Sequence, residues 1–285
     1  MAAKSKSEAL APQPSAPKLR VGVLGCAGRM GRALVRTISA ATDAEVVGGT
    51  EPPGSPWLGQ DAGAPVGLPD LGCAIDADPR ALFERADVVL DFTVPAVTAL
   101  HAGLAAETGI AYVLGTTGTG AAEDQAVWTA AKHAVVVRAA NMSLGVNVLL
   151  ALARKAAGAL DLDFDADVLE YHHKHKVDAP SGTALALGQA IAAARRQDHD
   201  KVATWTRRGQ TGARKRGDIG YAVLRGGDVV GEHTVYFAVD GERIELTHRA
   251  TNRDIFARGA LAAARWTWGK TPGLYGMADV LGLGD

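Results

Sequence analysis

Leu19-Arg-Val-Gly-Val-Leu24 runs directly into Gly25-Cys-Ala-Gly-Arg-Met-Gly31, and the reading of this junction decides the fold. The first six residues are a short apolar run bounded by glycine, the pattern of a buried strand. Gly25, Gly28 and Gly31 then recur at i, i+3 and i+6. Residues 32–40 follow with Leu34, Val35 and Ile38 on one helical face. Strand, glycine loop and helix in this order form a dinucleotide-binding arrangement. Its glycines permit a tight turn and close approach of a pyrophosphate to the helix N-terminus. Ala27 replaces the middle glycine of the usual G-x-G-x-x-G pattern, so the match is a variant. A tight turn without a ligand is the alternative.

Further along, residues 44–49 read as a second strand that ends near Glu51, where an acidic side chain would hold a ribose hydroxyl. Residues 52–72 are rich in Gly and Pro and predict loops. Strands are expected at 86–92, 111–114 and 134–138, with helices at 98–108 and 121–132 between them. Such alternation predicts a parallel sheet with right-handed crossovers. Asp91-Phe-Thr93, Gly115-Thr-Thr117 and Ala139-Ala-Asn-Met142 then fall at carboxyl ends of strands, the edge where open α/β sheets bind ligands.

The pattern changes after Asn141. A long helix is expected over 142–160, a strand over 167–171 and a helix over 183–196. Residues 202–251 look like antiparallel sheet, with a hairpin turn at Asp240-Gly241. A final helix spans 256–268 and ends at Gly269. The expected fold is α/β: a Rossmann-type parallel-sheet domain plus an α+β domain with a mixed or antiparallel sheet.

The chain has 285 residues, and its 30 Lys and Arg against 31 Asp and Glu leave a net charge of −1. That balance argues against a general binder of nucleic acid or membrane surfaces. No apolar run is long enough to span a membrane. Cys26 and Cys73 have neither metal-like spacing nor a disulfide framework, and fit a reducing cytoplasm. Residues 1–18, rich in Ala, Ser, Pro and Lys, read as a disordered tail rather than a signal peptide.

The richest chemistry lies in Glu170-Tyr-His-His-Lys-His-Lys-Val-Asp-Ala-Pro-Ser-Gly-Thr-Ala184. Three histidines (His172, His173, His175) and two lysines (Lys174, Lys176) occupy five consecutive positions. Ser181, Gly182 and Thr183 follow at an apparent helix start, whose free N–H groups and partial positive charge suit an anion. Pro180 is expected to stop the preceding strand. Three readings compete. A metal site is disfavoured, since adjacent strand histidines point to opposite faces and two lysines repel a cation. A solvated cationic loop is the plain structural alternative. The third is a site for a small substrate with more than one carboxylate. Hydride addition to a carbon–carbon bond conjugated with an imine leaves an enamine that must be protonated, and His and Lys can supply the proton.

These stretches together resemble the 4-hydroxy-tetrahydrodipicolinate reductase (dihydrodipicolinate reductase) family. The resemblance begins near residue 19 and includes Asn141-Met-Ser-Leu-Gly-Val-Asn147, Gly227-Asp-Val-Val-Gly-Glu-His-Thr234 and Thr247-His-Arg-Ala250. It implies a dinucleotide-binding domain from 19–142 and 254–285, and a substrate-binding and tetramerisation domain from 143–253. It also implies reduction of a cyclic imine dicarboxylate by NADH or NADPH in lysine biosynthesis. By position, His172 would be the proton donor/acceptor and Lys176 the proton donor. His173, Gly182 and Thr183 would bind substrate, with Ser181 beside them. Gly25, Cys26, Ala27, Gly28, Arg29, Met30, Glu51, Gly115, Thr116, Thr117, Ala139, Ala140, Asn141 and Met142 would bind the dinucleotide. The family is usually a homotetramer. Pro52 stands where many relatives carry an arginine suited to a 2′-phosphate, which tilts the expectation towards NADH while leaving NADPH possible. A dehydrogenase of the same plan acting on another amino-acid precursor, and a nucleotide sensor without turnover, are the rival readings.

Overall fold

The computed structural model describes residues 17–284. The expected tail therefore lies outside the described residues, apart from Pro17 and Lys18. β1 (Leu19–Leu24) buries every side chain but Leu19's neighbour Arg20, as a strand sandwiched between two helical layers must. α1 (Arg29–Ser39) begins inside the glycine motif, three residues earlier than its apolar face predicts. β2 (Ala44–Thr50) follows, then a loop with one 3₁₀ turn at Ala64–Val66, β3 (Ile75–Asp76) and α2 (Pro79–Arg85). α2 lies outside the sequence expectation although its start is well marked: Pro79 opens it, and Asp78 caps it by accepting from the Arg80 N–H at 2.9 Å.

β4 (Val88–Asp91), α3 (Pro95–Thr108), β5 (Ala111–Leu114), α4 (Ala121–Ala130) and β6 (Val135–Arg138) complete the alternating series. The chain then leaves this sheet through α5 (Leu144–Ala159), β7 (Asp165–His172), α6 (Gly182–Ala194) and α7 (His199–Val202). β8 (Ala203–Thr204), β9 (Ile219–Arg225), β10 (Gly231–Val239) and β11 (Glu242–Ala250) follow. α8 (Asp254–Trp266), β12 (Gly273–Tyr275) and α9 (Met277–Val280) return to the first sheet.

The first sheet has the order β12-β6-β5-β4-β1-β2-β3 and is parallel throughout. Strand side chains alternate between two cores. Val21, Val23, Val88, Leu90, Val113 and Val137 pack with α1 and α8 on one face. Leu24, Val89, Tyr112, Leu114 and Val136 pack with α2, α3 and α4 on the other. α8 returns to this core through Ala257, Ala260, Leu261, Ala263 and Ala264. β12, only three residues long, pairs with β6 and was not foreseen.

The second sheet, β11-β10-β7-β9-β8, is mixed rather than antiparallel. β10 runs antiparallel to both β7 and β11, but β9 is parallel to β7 and to β8. The connection after β7 passes through α6, so β9 re-enters in the same direction, as a crossover requires. α5 and α6 cover one face, burying Ala166, Val168, Tyr221, Val235 and Phe237. The Asp240-Gly241 hairpin forms as expected, with Gly241 at φ 93°.

Candidate active site

The chain order switches direction between β1 and β4, and a crevice opens at the carboxyl ends of these strands. The glycine loop sits there. Gly25 adopts φ 66°, a left-handed conformation open to glycine, and the Gly28 N–H donates back to its carbonyl at 3.0 Å. A Cβ on Gly31 would collide with Gly25 O, so α1 can approach the loop only with glycine there. Gly28 is the N-cap of α1 and has no side chain to occupy the first N–H groups. No acidic residue lies in the first turn, and exposed Arg29 starts it. An uncapped helix start flanked by a cation fits a dinucleotide pyrophosphate.

The other expected groove residues divide into those that face the crevice and those that build it. Glu51 Oε1 accepts from the Ala27 N–H at 2.8 Å, so the acidic end of β2 is tied to the glycine loop. Among the described residues, Arg196 is the one non-glycine residue with positive φ, so the methyl of Ala27 is unstrained. Cys26 is buried, and burial followed by the nearby Glu51 charge pushes its thiol up to about 12. It offers the crevice only backbone, and so does buried Met142. Asp91 points inward too. Its carboxylate accepts from Tyr112 Oη at 2.6 Å, Thr93 Oγ1 at 2.6 Å, Thr93 N at 2.9 Å and Thr116 Oγ1 at 3.2 Å, and meets His101 Nδ1 at 2.7 Å. Burial acts to raise this carboxyl, but the bonds led by His101 hold it below its usual range. Asp91 is thus the knot that holds the two loops carrying Thr93 and Thr116. Thr117 and Ala140 remain exposed at the edge, with Gly115 and Ala139 half-buried behind them.

β7 carries the second half of the site. Its inward positions are Ala166, Val168, Glu170 and His172, so the alternation that builds the core ends in two polar side chains. Glu170 is 1% exposed and takes four bonds. Arg225 donates from Nη1 to Oε2 at 3.0 Å and from Nη2 to Oε1 at 2.9 Å. The Ser181 N–H donates to Oε1 at 3.0 Å, and His172 Nδ1 makes a short contact with Oε2. Burial would raise this carboxyl, but the bonds from His172, Arg225 and Ser181 hold it at about 2. The His233 ring stands edge-on to His172 at 5.1 Å, and burial, then the neighbouring His172, pulls it down to about 4.

β7 ends at His172, eight residues before Pro180, so Pro180 is not what stops the strand. The intervening loop carries His173, Lys174, His175 and Lys176. The Lys176 ammonium pairs with Asp178 Oδ1 at 2.8 Å. His173 Nε2 lies 3.3 Å from Arg253 Nη2, and lost hydration together with that guanidinium pushes its imidazole below the ordinary range. Ser181 is 1% exposed and spends its atoms on structure: N–H on Glu170, Oγ on the Ala184 N–H at 3.2 Å and on His233 Nε2 at 3.2 Å. It is the N-cap of α6. Gly182 is left exposed and Thr183 half-buried, and open space lies where a Gly182 Cβ would be.

The two halves meet. Asn141 Nδ2 donates to Thr183 Oγ1 at 3.1 Å, joining the last groove segment to the first turn of α6. A cleft of about 630 Å³ lies between Arg29 of the glycine loop and His173, Lys174, His175 and Arg253. The sequence reading of the site gave no role to Glu170, Arg225, His233 or Arg253. His233 lay within a quoted motif, but nothing in a linear chain marks Arg225 or Arg253 as its neighbours. Among the described residues, the trio whose atoms could meet a metal, within 4.8 Å of one another, is Glu170, His172 and His233, and neither His173 nor His175 joins it. The Arg225 guanidinium on both Glu170 oxygens opposes a cation there.

A nucleotide-binding sheet facing a cationic cleft with proton-bearing side chains defines an NAD(P)H-dependent oxidoreductase. Residues 19–142 match the dihydrodipicolinate reductase N-terminal family and residues 145–281 its C-terminal family. The 4-hydroxy-tetrahydrodipicolinate reductase of Rhodopseudomonas palustris strain BisA53 is 54% identical over 267 residues, 94% of this chain and 98% of that protein. That of Ruegeria pomeroyi is 54% identical over 261 residues, 92% of this chain and 97% of that protein. A dipicolinate-bound dihydrodipicolinate reductase from Paenisporosarcina sp. TG-14 superposes with a TM-score of 0.75 at 26% identity, covering 92% of this chain and 98% of that one. The chain belongs to the dihydrodipicolinate reductase family.

Proposed function

We propose that this chain reduces 4-hydroxy-tetrahydrodipicolinate to tetrahydrodipicolinate with NAD(P)H, the 4-hydroxyl leaving as water and a hydride and a proton being added, in the diaminopimelate route to lysine. The observation that carries the reading is the Asn141–Thr183 bond, which sets the dinucleotide groove against a helix start shaped for a carboxylate. Residues 19–142 with 254–285 form the dinucleotide domain, and 143–253 the substrate domain. The relative solved with dipicolinate binds a ring carrying two carboxylates, the shape this cleft suits.

A bound nicotinamide dinucleotide supplies the hydride. Gly25, Gly28 and Arg29 hold its pyrophosphate, and Glu51 its ribose. His173 binds one substrate carboxylate, while the N–H groups of Gly182 and Thr183 with the Thr183 hydroxyl bind the other. Ser181 shapes that seat as its cap. Lys176 gives the proton that completes the reduction, and His172 exchanges protons beside it. NADH is the preferred donor: Glu51 repels a 2′-phosphate, Pro52 offers no charge, and the Arg32 side chain is occupied by Ala27 O at 2.7 Å and the Trp57 ring at 5.4 Å. The face of the second sheet turned away from α5 and α6 would pair copies into a homotetramer in the cytoplasm. No described helix is long and apolar enough to cross a membrane.

The test couples the protein to a dihydrodipicolinate synthase fed with pyruvate and aspartate semialdehyde, following NADH and NADPH oxidation in parallel. Oxidation of either supports the reading, and faster NADH use supports the donor preference. No oxidation by folded, dinucleotide-binding protein would point to a different substrate.

A further inference from the structure

We infer that Glu170, clamped by Arg225, is the positioning residue that sets the ring and the proton of His172. The inference rests on the reading of His172 as a proton-handling group. Three features of the geometry support it. First, Glu170 and His172 are two residues apart on one strand and share its inward face, so the contact of Oε2 with Nδ1 is built into the pleat. An ionised carboxylate only accepts hydrogen bonds, so Nδ1 of neutral His172 carries the proton and Nε2 presents its lone pair.

Second, the carboxylate cannot turn away. Both its oxygens are held by the two-pronged Arg225 guanidinium, and Oε1 also by the Ser181 N–H. Arg225 Nη2 donates in addition to Asp178 O at 2.6 Å, in the loop that carries Lys176. One buried ion pair therefore braces the His172 ring, the cap of the carboxylate-binding helix and the lysine loop. Third, the space for the ring is reserved. A Cβ on Gly231 would lie 3.0 Å from His172 Nε2, and the His233 ring stands edge-on to His172 at 5.1 Å. A buried Glu–Arg pair seldom adds net stability over an apolar pair, so a role in orientation accounts for its presence here.

The charged and titratable groups facing His172 are Glu170 on β7, Arg225 on β9, His233 on β10 and His173 at the loop start. Nitrogen-15 NMR of the histidine rings in the wild-type protein reads the tautomer directly, with the His172 signals assigned by their loss in His172→Asn. Neutral His172 protonated at Nδ1 is the expected result, and protonation at Nε2 would overturn the inference. In Glu170→Gln the Nδ1–H tautomer of His172 should no longer be fixed, because an amide can donate as well as accept where the carboxylate only accepts. Its kcat should fall about 10²-fold with substrate KM changed much less. An unchanged His172 tautomer and wild-type kcat in folded Glu170→Gln, beside a slow His172→Asn, would overturn the positioning role alone. Wild-type kcat in His172→Asn would overturn the underlying reading of His172. Should Glu170→Gln fail to fold, the wild-type tautomer still decides.

Discussion

Gly182→Ala should separate stability from substrate binding and move them in opposite directions. Gly182 is the first residue of α6, and a Cβ there meets no atom within 4 Å. Nothing in the fold resists the methyl group. Replacing glycine by alanine where the backbone allows it stabilises by about 0.4–1 kcal/mol, through the entropy of the unfolded chain. For a chain of this size that raises Tm by about 1–3 °C. The same methyl projects into the space above the helix start, where the substrate carboxylate is proposed to sit. Displacing the anion forfeits at least one charge-assisted N–H bond, worth about 1.5–3 kcal/mol. Substrate KM should therefore rise about 10- to 150-fold, since each 1.4 kcal/mol is a factor of ten. The dinucleotide Kd should stay at the wild-type value. Thermal unfolding and steady-state kinetics on one preparation give both numbers. A raised Tm with unchanged KM would show that the carboxylate does not bind at this helix start.

Lys176→Ala should lower kcat about 10²-fold or more, as loss of a general acid does, and leave the NADH Kd measured by calorimetry unchanged. A wild-type kcat would remove Lys176 from the chemistry. Gly28→Val puts a branched side chain over the start of α1, where a Cβ already lies 3.2 Å from Gly25 O. The NADH Kd should rise at least about tenfold, and unaltered affinity would show that the loop is misassigned. His233 titrates near 4 in the folded chain and near 6.5 when unfolded. Its folded pKa is the lower one, so stability is full above pH 6.5 and is lost as pH falls towards 4. The loss at pH 4.5 is about 2.5 kcal/mol. Urea unfolding at pH 7.5 and 4.5 measures it, and a His233→Gln chain with the same loss would assign the dependence elsewhere. Glu170, held at about 2, adds its own loss only below about pH 4.5.

Periodicity made the first sheet readable. Leu19–Leu24 and the later apolar runs are buried on both faces, so each strand stands out as a continuous hydrophobic stretch. Elements too short for a period escaped: β3 has two residues and β12 three, and both owe their existence to a neighbouring strand. The direction of β9 escaped for another reason. Direction is a property of the connection: the crossover helix α6 was expected, but residues 205–218, which hold no helix or strand, separate it from β9 and hide the link. The cationic loop was legible because charge is a local property of composition. Glu170 was quoted as the first residue of that stretch, yet its partner Arg225 is 55 positions away and is brought to it only by the β7–β9 register. Asp91 was placed at the end of its strand, but a strand end does not reveal that its side chain turns to the core, where it meets Tyr112 and His101.

The mounting of the two residues proposed to handle protons argues for a division of labour between them. His172 lies on a paired strand with its side chain 10% exposed against a fully buried carboxylate. Lys176 lies on a loop, 21% exposed, with its ammonium on the more exposed Asp178. A group that delivers a proton once per turnover must be refilled from solvent, and the lysine is the one with access to water. A group that must keep one ring orientation gains from a strand, a buried anion and a fixed tautomer, and the histidine has all three. On this reading Lys176 is the delivering acid, and Asp178 holds its ammonium in place between turnovers. Asp178→Asn should then raise KM and lower kcat only severalfold, well short of the loss in Lys176→Ala. Equal losses in the two variants would instead make Asp178 part of the proton path itself.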